Sequence, residues 1–297
     1  MDHCRLLTVA EASASVRGLR FVEVPMPVPG LDELVVDVAC AVVDLQSLRL
    51  RSDAHVPEGA FVGRAHAGGV HTGAPESVVV GVGPIADHVC VPRAALRVFG
   101  ACGEALDVLV LLPVMTALAA AFEAARLAFG ERVCVSGDGM VARLAAQLTQ
   151  VVTGRPAVMV SAIDGDSSGP ADDLDADLIV DATADEAKWK AVLPMARERG
   201  RALLLLPGGP QVHPFDFYPT VHLKSLALVA RRVPDAASWR SAPDATVEAL
   251  RRLLGQRGLG ADAAAVVRIP SRRLVEGTLA VEPRTTNGGL VIWFEAS

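Results

Sequence analysis

The fold is decided by the stretch Val133-Cys134-Val135-Ser136-Gly137-Asp138-Gly139-Met140-Val141-Ala142. An apolar run ends there in a G-x-G-x-x-A pattern, and a helical pattern begins immediately after it. A strand, a glycine turn and a helix in this order are typical of a dinucleotide-binding unit. The helix N-terminus then faces the charge of a pyrophosphate. A tight β–α turn that binds nothing is the simpler alternative.

The motif gives each small residue a role. Gly137 lets the chain turn tightly, Gly139 lets the backbone approach a phosphate, and Ala142 lets the helix pack closely on the strand. The residues predicted to contact a dinucleotide at this turn are Gly137, Asp138, Gly139, Met140 and Val141.

Composition limits the class of protein. A chain of 297 residues suits two domains, and its formal net charge of −6 argues against a non-specific nucleic-acid binder. Charged residues and Pro113 interrupt the apolar run at 106–129, which favours a buried helix over a membrane span. The chain shows no signal-peptide pattern, and its five cysteines form no C-x-x-C pair. We therefore expect a cytoplasmic protein with reduced thiols.

The pattern of elements changes along the chain. Strand signals dominate up to about residue 100, whereas helices and strands alternate from 106 to 260, which predicts a parallel sheet covered on both faces. The predicted strands are 5–9, 19–24, 34–41, 88–91, 132–136, 157–163, 178–182, 201–206, 225–230, 265–269 and 289–295. The predicted helices are 106–129, 140–152, 185–199, 244–257 and 271–281.

The order of motifs resembles the medium-chain dehydrogenase/reductase family over nearly the whole chain. The stretches that carry the likeness are residues 24–38, 63–68, 86–89, 113–118, 137–142, 181–183 and 206–209. The resemblance implies an α/β fold with two domains. A GroES-like β-rich catalytic domain would cover 1–112 and 263–297. A Rossmann domain, a doubly wound parallel sheet, would cover 113–262.

The chain departs from this family pattern at the adenosine side. Only 16 residues separate Ser161 from the next predicted strand at Leu178. A single β–α–β crossover needs at least about 10–12 residues, so a helix, a strand and a second helix do not fit. We predict an abbreviated sheet without its edge strand, and therefore fewer elements to enclose an adenosine.

A second departure concerns metal. An ungapped match from Glu33 puts Asp44 at the family's zinc-ligating cysteine, and Arg64 and Ala65 at its His-Glu pair. A guanidinium has no lone pair for a metal and alanine has no donor atom. Residues 69–87 also lack the four cysteines of a structural zinc lobe. We therefore expect a metal-free protein.

The resemblance projects five polar side chains toward a cleft: Asp44, Ser47, Arg64, His66 and Thr116. Arg64 could stabilise an oxyanion or hold a carboxylate, and Asp44 could act as a general acid. Equally, Asp44 and Arg64 could form a structural ion pair. His66 could act as a base, but a packed or partly exposed histidine is the simpler interpretation. Thr116 could contact a nicotinamide amide or simply line its helix.

Cofactor choice rests on the end of the second Rossmann strand. Ser161, with Arg155 nearby, favours NADP(H), whereas Asp164 would favour NAD(H) if the strand runs three residues longer. NADP(H) is the preferred prediction. The resemblance adds Thr183, Pro207 and Gly208 as residues that seat the nicotinamide.

Two functions follow from these residues. The first is a zinc-independent NAD(P)H-dependent oxidoreductase that reduces a small carbonyl, enone or imine. The second is a family scaffold without nicotinamide turnover, either a cofactor-free enzyme or a binding subunit. A homodimer that pairs through the last Rossmann strand is expected in both cases, with a small molecule as the substrate of the first.

Overall fold

The structure is a computed structural model that describes residues 3–11, 17–44, 56–67, 70–71, 77–100, 105–160, 174–183, 186–206, 221–256, 267–270, 279–281 and 289–294. The chain divides into two units. The first unit comprises Met1–Thr116 and Pro234–Ser297, and the second comprises Ala117–Val233.

The described strands of the first unit form two sheets. Their bounds are β1 (His3–Glu11), β2 (Arg17–Pro25), β3 (Glu33–Asp44), β4 (Glu58–Ala67), β5 (Val70–His71), β6 (Val78–Pro84), β7 (His88–Pro92), β8 (Arg97–Phe99), β14 (Val267–Pro270), β15 (Leu279–Val281) and β16 (Gly289–Trp293). One sheet has three antiparallel strands in the order β1–β2–β15. The other has eight strands along the path β14–β16–β3–β4–β6–β8, with β5 paired to β4 and β7 to β3.

Apolar side chains from both sheets pack into one core. Val36, Phe61 and Ile292 belong to it and are fully buried, as are Leu7 and Leu19 from the three-stranded sheet. Alternate residues along a strand point to opposite faces, so the same strands also carry the polar residues of the outer face.

The second unit contains a parallel sheet of five described strands. They are β9 (Val133–Ser136), β10 (Val158–Val160), β11 (Ala176–Asp181), β12 (Ala196–Leu206) and β13 (Ala227–Arg232), in the order β10–β9–β11–β12–β13. Every pairing in this sheet is parallel. All four residues of β9 are buried, as expected for a central strand covered on both faces.

The described α-helices connect these strands or extend the first unit. They are α1 (Leu106–Leu109), α2 (Leu112–Ala124), α3 (Met140–Thr153), α4 (Glu186–Val192), α5 (Ala236–Ser241) and α6 (Asp244–Gln256). Helix α3 connects β9 to β10 on one side of β9, after which the chain crosses to β11 on the other side. The strand order therefore reverses at the carboxyl end of β9, which is where open parallel sheets bind ligands. The α/β fold with a β-rich unit and a Rossmann sheet is confirmed.

The sheet is abbreviated, as the sequence predicted. Among the described residues, no strand pairs with the outer edge of β10. Only the 13 residues 161–173 lie between β10 and the next described residue, Leu174. A further strand would need two crossover connections, each of at least about 10–12 residues, so this segment is too short to supply one.

The apolar run at 106–129 forms two helices where one was predicted. Pro113 lies in the first turn of α2, where its missing N–H costs nothing, but the same residue cannot continue a helix from α1. Within the described residues, Leu106–Ala124 is the one stretch long and apolar enough to cross a membrane, and 67% of its most apolar window is buried inside the protein. Such burial is typical of a core helix.

The segment after β13 packs with the first unit, whereas the sequence assigned residues up to 262 to the Rossmann domain. The Arg97 guanidinium on β8 explains this placement. It donates to the carbonyl oxygens of Trp239, Arg240 and Ala242 at the end of α5. It also pairs with Asp244 at the start of α6, and it lies 5.1 Å from the centroid of the Trp239 ring.

Two predicted helices were wrong. The helix expected at 185–199 stops at Val192, because Pro194 cannot donate the next helical hydrogen bond, and β12 begins at Ala196. The helix expected at 271–281 gives way to β15, which pairs with β2 through Leu279 and Leu19. Residues 271–278 lie outside the described part.

Candidate functional site

The glycine turn has the geometry that the motif predicts. Gly137 has φ +120°, a conformation that side-chain-bearing residues rarely adopt. A Cβ atom at Gly137 would lie 3.1 Å from Thr183 Cγ2 and 3.3 Å from Ala142 Cβ. The Gly137 amide donates to the carbonyl of Val160 at 3.0 Å, which ties the turn to β10. Packing therefore requires a glycine at position 137 and a small residue at position 142.

Helix α3 starts without a capping side chain. Its N-cap is Gly139, which has φ −71° and ψ 175° and makes no side-chain cap hydrogen bond. The first helical side chains, Met140, Val141 and Ala142, are buried, so only the backbone N–H groups of the first turn are left to bind a ligand. Arg143 follows, and its Nε donates to the Asp138 carbonyl at 3.0 Å.

The neighbouring strand end is fixed by a buried carboxylate. Asp181 Oδ1 accepts from the backbone N–H and the hydroxyl of Thr183, at 3.0 and 2.6 Å. The amide of Ala182 donates to the carbonyl of Ser136 at 3.0 Å. These bonds hold Thr183 beside Gly137 at the point where the strand order reverses, so two of the predicted cofactor positions lie together.

The remaining cofactor predictions fall largely outside the described residues. Ser161, Asp164, Pro207 and Gly208 lie in segments that the structure does not describe. Arg155, the suggested partner of a 2′-phosphate, is exposed just after α3. The choice between NADP(H) and NAD(H) therefore stays a prediction.

The strand register separates two of the predicted catalytic residues. Arg64 on β4 lies opposite Asp37 on β3, whereas Asp44 lies opposite Gly289 on β16. Asp37 and Asp44 are seven residues apart along one strand, or roughly 20 Å, which is beyond the reach of a single ion pair. The suggested Asp44–Arg64 pair is wrong. Arg64 is instead exposed on the outer face of the sheet.

The residue nearest to Asp44 on β4 is one that the sequence reasoning missed. The register pairs Val42 with Ala60, so Glu58, two residues before Ala60, is the residue of β4 nearest in register to Asp44, two residues after Val42. Glu58 begins β4, a strand that the sequence analysis did not predict, so no local signal marked this residue.

His66 is part of a polar cluster formed by Arg5, Asp37, His66, Asp87 and His88. His66 Nε2 lies 3.0 Å from Asp37 Oδ1, and His88 Nε2 lies 3.3 Å from the same oxygen. His88 Nδ1 lies 3.1 Å from Asp87 Oδ1, and Arg5 Nε lies 2.6 Å from Asp87 Oδ2. His88, which the sequence reasoning assigned to structure or surface, occupies the middle of this cluster.

Electrostatics within the polar cluster are uneven. Burial alone would raise the pKa of Asp87, but the hydrogen bonds from His88 and Arg5 outweigh it and lower the pKa to about 2. The hydrogen bond to Asp87 raises the pKa of His88, against the opposing effect of burial. The cluster therefore favours an ionised Asp87 and a protonated His88.

Thr116 is a buried polar residue on α2. Its side chain is 2% exposed, and its hydroxyl oxygen finds no hydrogen-bond partner among the described residues. A buried hydroxyl without a partner is costly, so such a group often marks a place where a ligand binds.

Metal ligands do not converge in the described part of the chain. No group of three or more His, Cys, Asp or Glu side chains there is arranged to hold a metal ion. The four described cysteines are free thiols. The side chain of Asp44 is outside the described set, so the expectation of a metal-free protein stays a prediction.

Comparison with known proteins gives structural matches only. No protein-family model and no curated protein sequence matches the chain. The alcohol dehydrogenase TADH from Thermus sp. ATN1 superposes with a TM-score of 0.70 at 16% identity, covering 98% of this chain and 100% of that one. An alcohol dehydrogenase from E. coli CFT073, complexed with NADH, gives 0.69 at 14% identity and covers 99% and 100%. A putative zinc-binding dehydrogenase from Sinorhizobium meliloti 1021, bound to NADP, gives 0.66 at 14% identity, with the same coverage.

These likenesses extend over the whole chain and agree with the order of motifs in the sequence. At such identities they establish the fold. The chain therefore has the two-unit fold of the medium-chain alcohol dehydrogenases, with a glycine turn at the switch point of an abbreviated Rossmann sheet.

Proposed function

We propose that this protein is an NAD(P)H-dependent oxidoreductase that reduces a small carbonyl, enone or imine. The observation that carries the proposal is the glycine turn. A positive φ at Gly137 and an uncapped 14-residue helix meet at the reversal of strand order, where parallel sheets bind nucleotides. The full-length likeness to dehydrogenases, two of them bound to NADH or NADP, supports it.

The residues at the turn fit a dinucleotide. The first-turn amides of α3 would hold the pyrophosphate, since the N-cap residue Gly139 provides no side-chain cap for them. Arg143 makes one described hydrogen bond, to Asp138, which leaves other N–H groups of its guanidinium for an anion. Thr183 would line the nicotinamide side, and the Thr116 hydroxyl, which finds no hydrogen-bond partner among the described residues, stays the predicted contact of the nicotinamide amide. The bound nicotinamide would supply a hydride.

We further propose that the reaction needs no metal and that NADP(H) is preferred. Asp44 at the family's cysteine position, with Arg64 and Ala65 at its His-Glu pair, supports the first point. Ser161 and Arg155 in the sequence support the second. Asp44 or a water molecule would supply the proton, and Arg64 stays a candidate only for a substrate that reaches the exposed face of β4. We assign His66 to the polar cluster, because Asp37 already holds its Nε2.

Titration of EDTA-treated protein with NADPH and NADH, followed by nicotinamide fluorescence, tests the proposal. We expect saturation at micromolar concentrations, with tighter binding of NADPH. Tighter binding of NADH would overturn the NADP(H) preference and implicate Asp164. Metal analysis of the same sample, before and after EDTA, shows whether the protein carries a bound ion and whether EDTA removes it.

The second candidate is a scaffold that turns over no nicotinamide. The 13-residue link after β10 favours it, because the elements that usually enclose an adenosine do not fit in that length. No binding of either cofactor at millimolar concentrations would favour this function over the first.

We also propose a homodimer that pairs through β13. Among the described residues, β13 pairs only with β12, so its outer edge has hydrogen-bonding groups available for a second copy. Light scattering at micromolar concentration should give twice the mass of the chain. A monomeric mass would contradict the pairing.

A further inference from the structure

The hydroxyl proton of Thr183 is committed to Asp181. Thr183 follows the last residue of β11 by two positions, and its Oγ1 donates to Asp181 Oδ1 at 2.6 Å. The same oxygen accepts from the Thr183 backbone N–H at 3.0 Å, and because a backbone N–H can only donate, this oxygen is an acceptor. The shorter distance is typical of a hydroxyl that donates to a carboxylate.

The Thr183 side chain is also fixed in direction. Its methyl carbon Cγ2 would lie 3.1 Å from a Cβ at position 137, so the methyl group packs against Gly137 while the hydroxyl meets Asp181. Both branches of the side chain therefore have a neighbour, and a β-branched residue held in this way keeps one χ1 rotamer. Asp181 is 2% exposed and Thr183 is 6% exposed, so little water competes for the hydrogen bond between them.

This arrangement decides what Thr183 offers a ligand. A hydroxyl has one O–H donor and two lone pairs. Because the donor is bound to Asp181, Thr183 can only accept from a ligand, whereas the first-turn amides of α3 can only donate. The amides therefore fit phosphate oxygens, and Thr183 fits an O–H or N–H group.

The position of Thr183 assigns it to one half of a dinucleotide. The register pairs Asp181 with Ser136, so Thr183 lies beside the glycine turn, on the side of β9 away from β10. In a doubly wound sheet each half of the strands binds one mononucleotide, and the end of the second strand, here β10, binds the adenosine ribose. The nicotinamide half then lies on the β11 side.

We propose that Thr183 is a specificity-determining residue that accepts a hydrogen bond from the nicotinamide half of the cofactor, and that Asp181 positions it by holding its only hydroxyl proton. Two kinds of group in that half can donate: a ribose hydroxyl and the N–H of the carboxamide. Resting on the proposed function, this role takes a nicotinamide cofactor as the ligand and adds the direction of one hydrogen bond.

Calorimetric titration of the intact chain with three probes tests this role. They are NADPH, its acetylpyridine analogue, in which a methyl ketone replaces the carboxamide, and 2′-phospho-AMP, the adenosine half of NADPH. Thr183→Val keeps the branched shape of the side chain but removes the acceptor. We expect the affinity for NADPH to fall about tenfold, the effect of one lost hydrogen bond, and the affinity for 2′-phospho-AMP to stay unchanged.

Two further variants separate the hydroxyl from general loosening of the second unit. Thr149→Val removes another buried hydroxyl of that unit, which has no hydrogen-bond partner among the described residues, and should bind all three probes like the wild type. Thr183→Ser retains the hydroxyl and should keep the affinity for NADPH to within about threefold of the wild type.

The acetylpyridine analogue identifies the donor. If Thr183→Val weakens the binding of NADPH alone, the carboxamide donates to Thr183; if it weakens NADPH and the analogue equally, a ribose hydroxyl donates. Wild-type affinity for NADPH in Thr183→Val, or an equal loss for NADPH and 2′-phospho-AMP, would overturn the role of Thr183. A wild type that binds none of the probes, nor NADH, would instead overturn the proposed function itself.

Discussion

The glycine turn of the second unit and the polar cluster of the first are built in different ways. At the turn, backbone geometry forms the site: Gly137 has a left-handed φ, and the first amides of α3 carry no cap. In the polar cluster, side chains from four strand regions meet around two carboxylates. A site made of backbone depends on the size of each residue. A site made of charged side chains depends on pH.

The largest effect should come from filling the phosphate position. Gly139 has φ −71°, which any residue adopts, so Gly139→Val should preserve the turn while its side chain blocks a pyrophosphate. We expect NADPH affinity to fall more than about a hundredfold, with little change in stability. Fluorescence titration measures the first, and urea unfolding the second. Unchanged affinity would show that the turn binds no dinucleotide and would favour the scaffold function.

Gly137→Ala should mainly lower the free energy of unfolding. The added Cβ meets Thr183 and Ala142 at 3.1 and 3.3 Å, in a backbone conformation that alanine disfavours. Such strain costs about 2–3 kcal/mol, which urea unfolding would show directly. Gly130→Ala is a useful control, because Gly130 also has positive φ but its Cβ would meet nothing within 4 Å. If both variants lose the same free energy of unfolding, the positive φ, and not packing against Thr183, is the reason that position 137 requires glycine.

Asp87→Asn should lower the free energy of unfolding by an amount that depends on pH. The pKa of Asp87 falls from 3.8 to about 2 on folding, so its carboxylate contributes about 2 kcal/mol above pH 3.8. That contribution disappears as pH falls through about 2. The free energy of unfolding of the wild type and the variant should therefore differ at pH 6 and nearly converge at about pH 2. A difference that is the same at both pH values would contradict the charge-based account.

The smallest effect is expected for Arg64→Gln. Arg64 is exposed, and no described salt bridge involves it, so stability should change by less than about 0.5 kcal/mol. Any loss of turnover with unchanged stability would then reflect a substrate contact. Turnover and stability both at the wild-type level would remove Arg64 from the candidate catalytic residues.

The sequence predicted the turn better than the polar cluster because the turn is local. Gly137, Gly139 and Ala142 are read from six consecutive residues, and the alternation of helices and strands around them is equally local. The polar cluster depends on the register between distant strands. Nothing in the sequence shows that Asp37 lies beside His88 on one side and diagonally beside His66 on the other.

Glycines also concealed one of the strands. The pattern missed β4 because Gly59 and Gly63 lower its strand propensity. The structure explains both residues. A Cβ at Gly59 would lie 2.2 Å from the Val42 carbonyl oxygen, and one at Gly63 would lie 2.1 Å from that of Asp37. Close approach of β3 and β4 requires glycine there, so the residues that obscured the strand are the ones that allow it to pair.

Arg97 binds α5 and α6 to the first unit, and this affects the order in which the two units can fold during protein synthesis. Because 234–297 belongs to the first unit, the second unit is one continuous stretch of chain, and all its described strands lie between Val133 and Arg232. It can complete its sheet while the ribosome is still translating. The first unit cannot, since β16, which pairs with β3, follows the whole second unit in the chain. The unit that is translated first is therefore the last to finish folding.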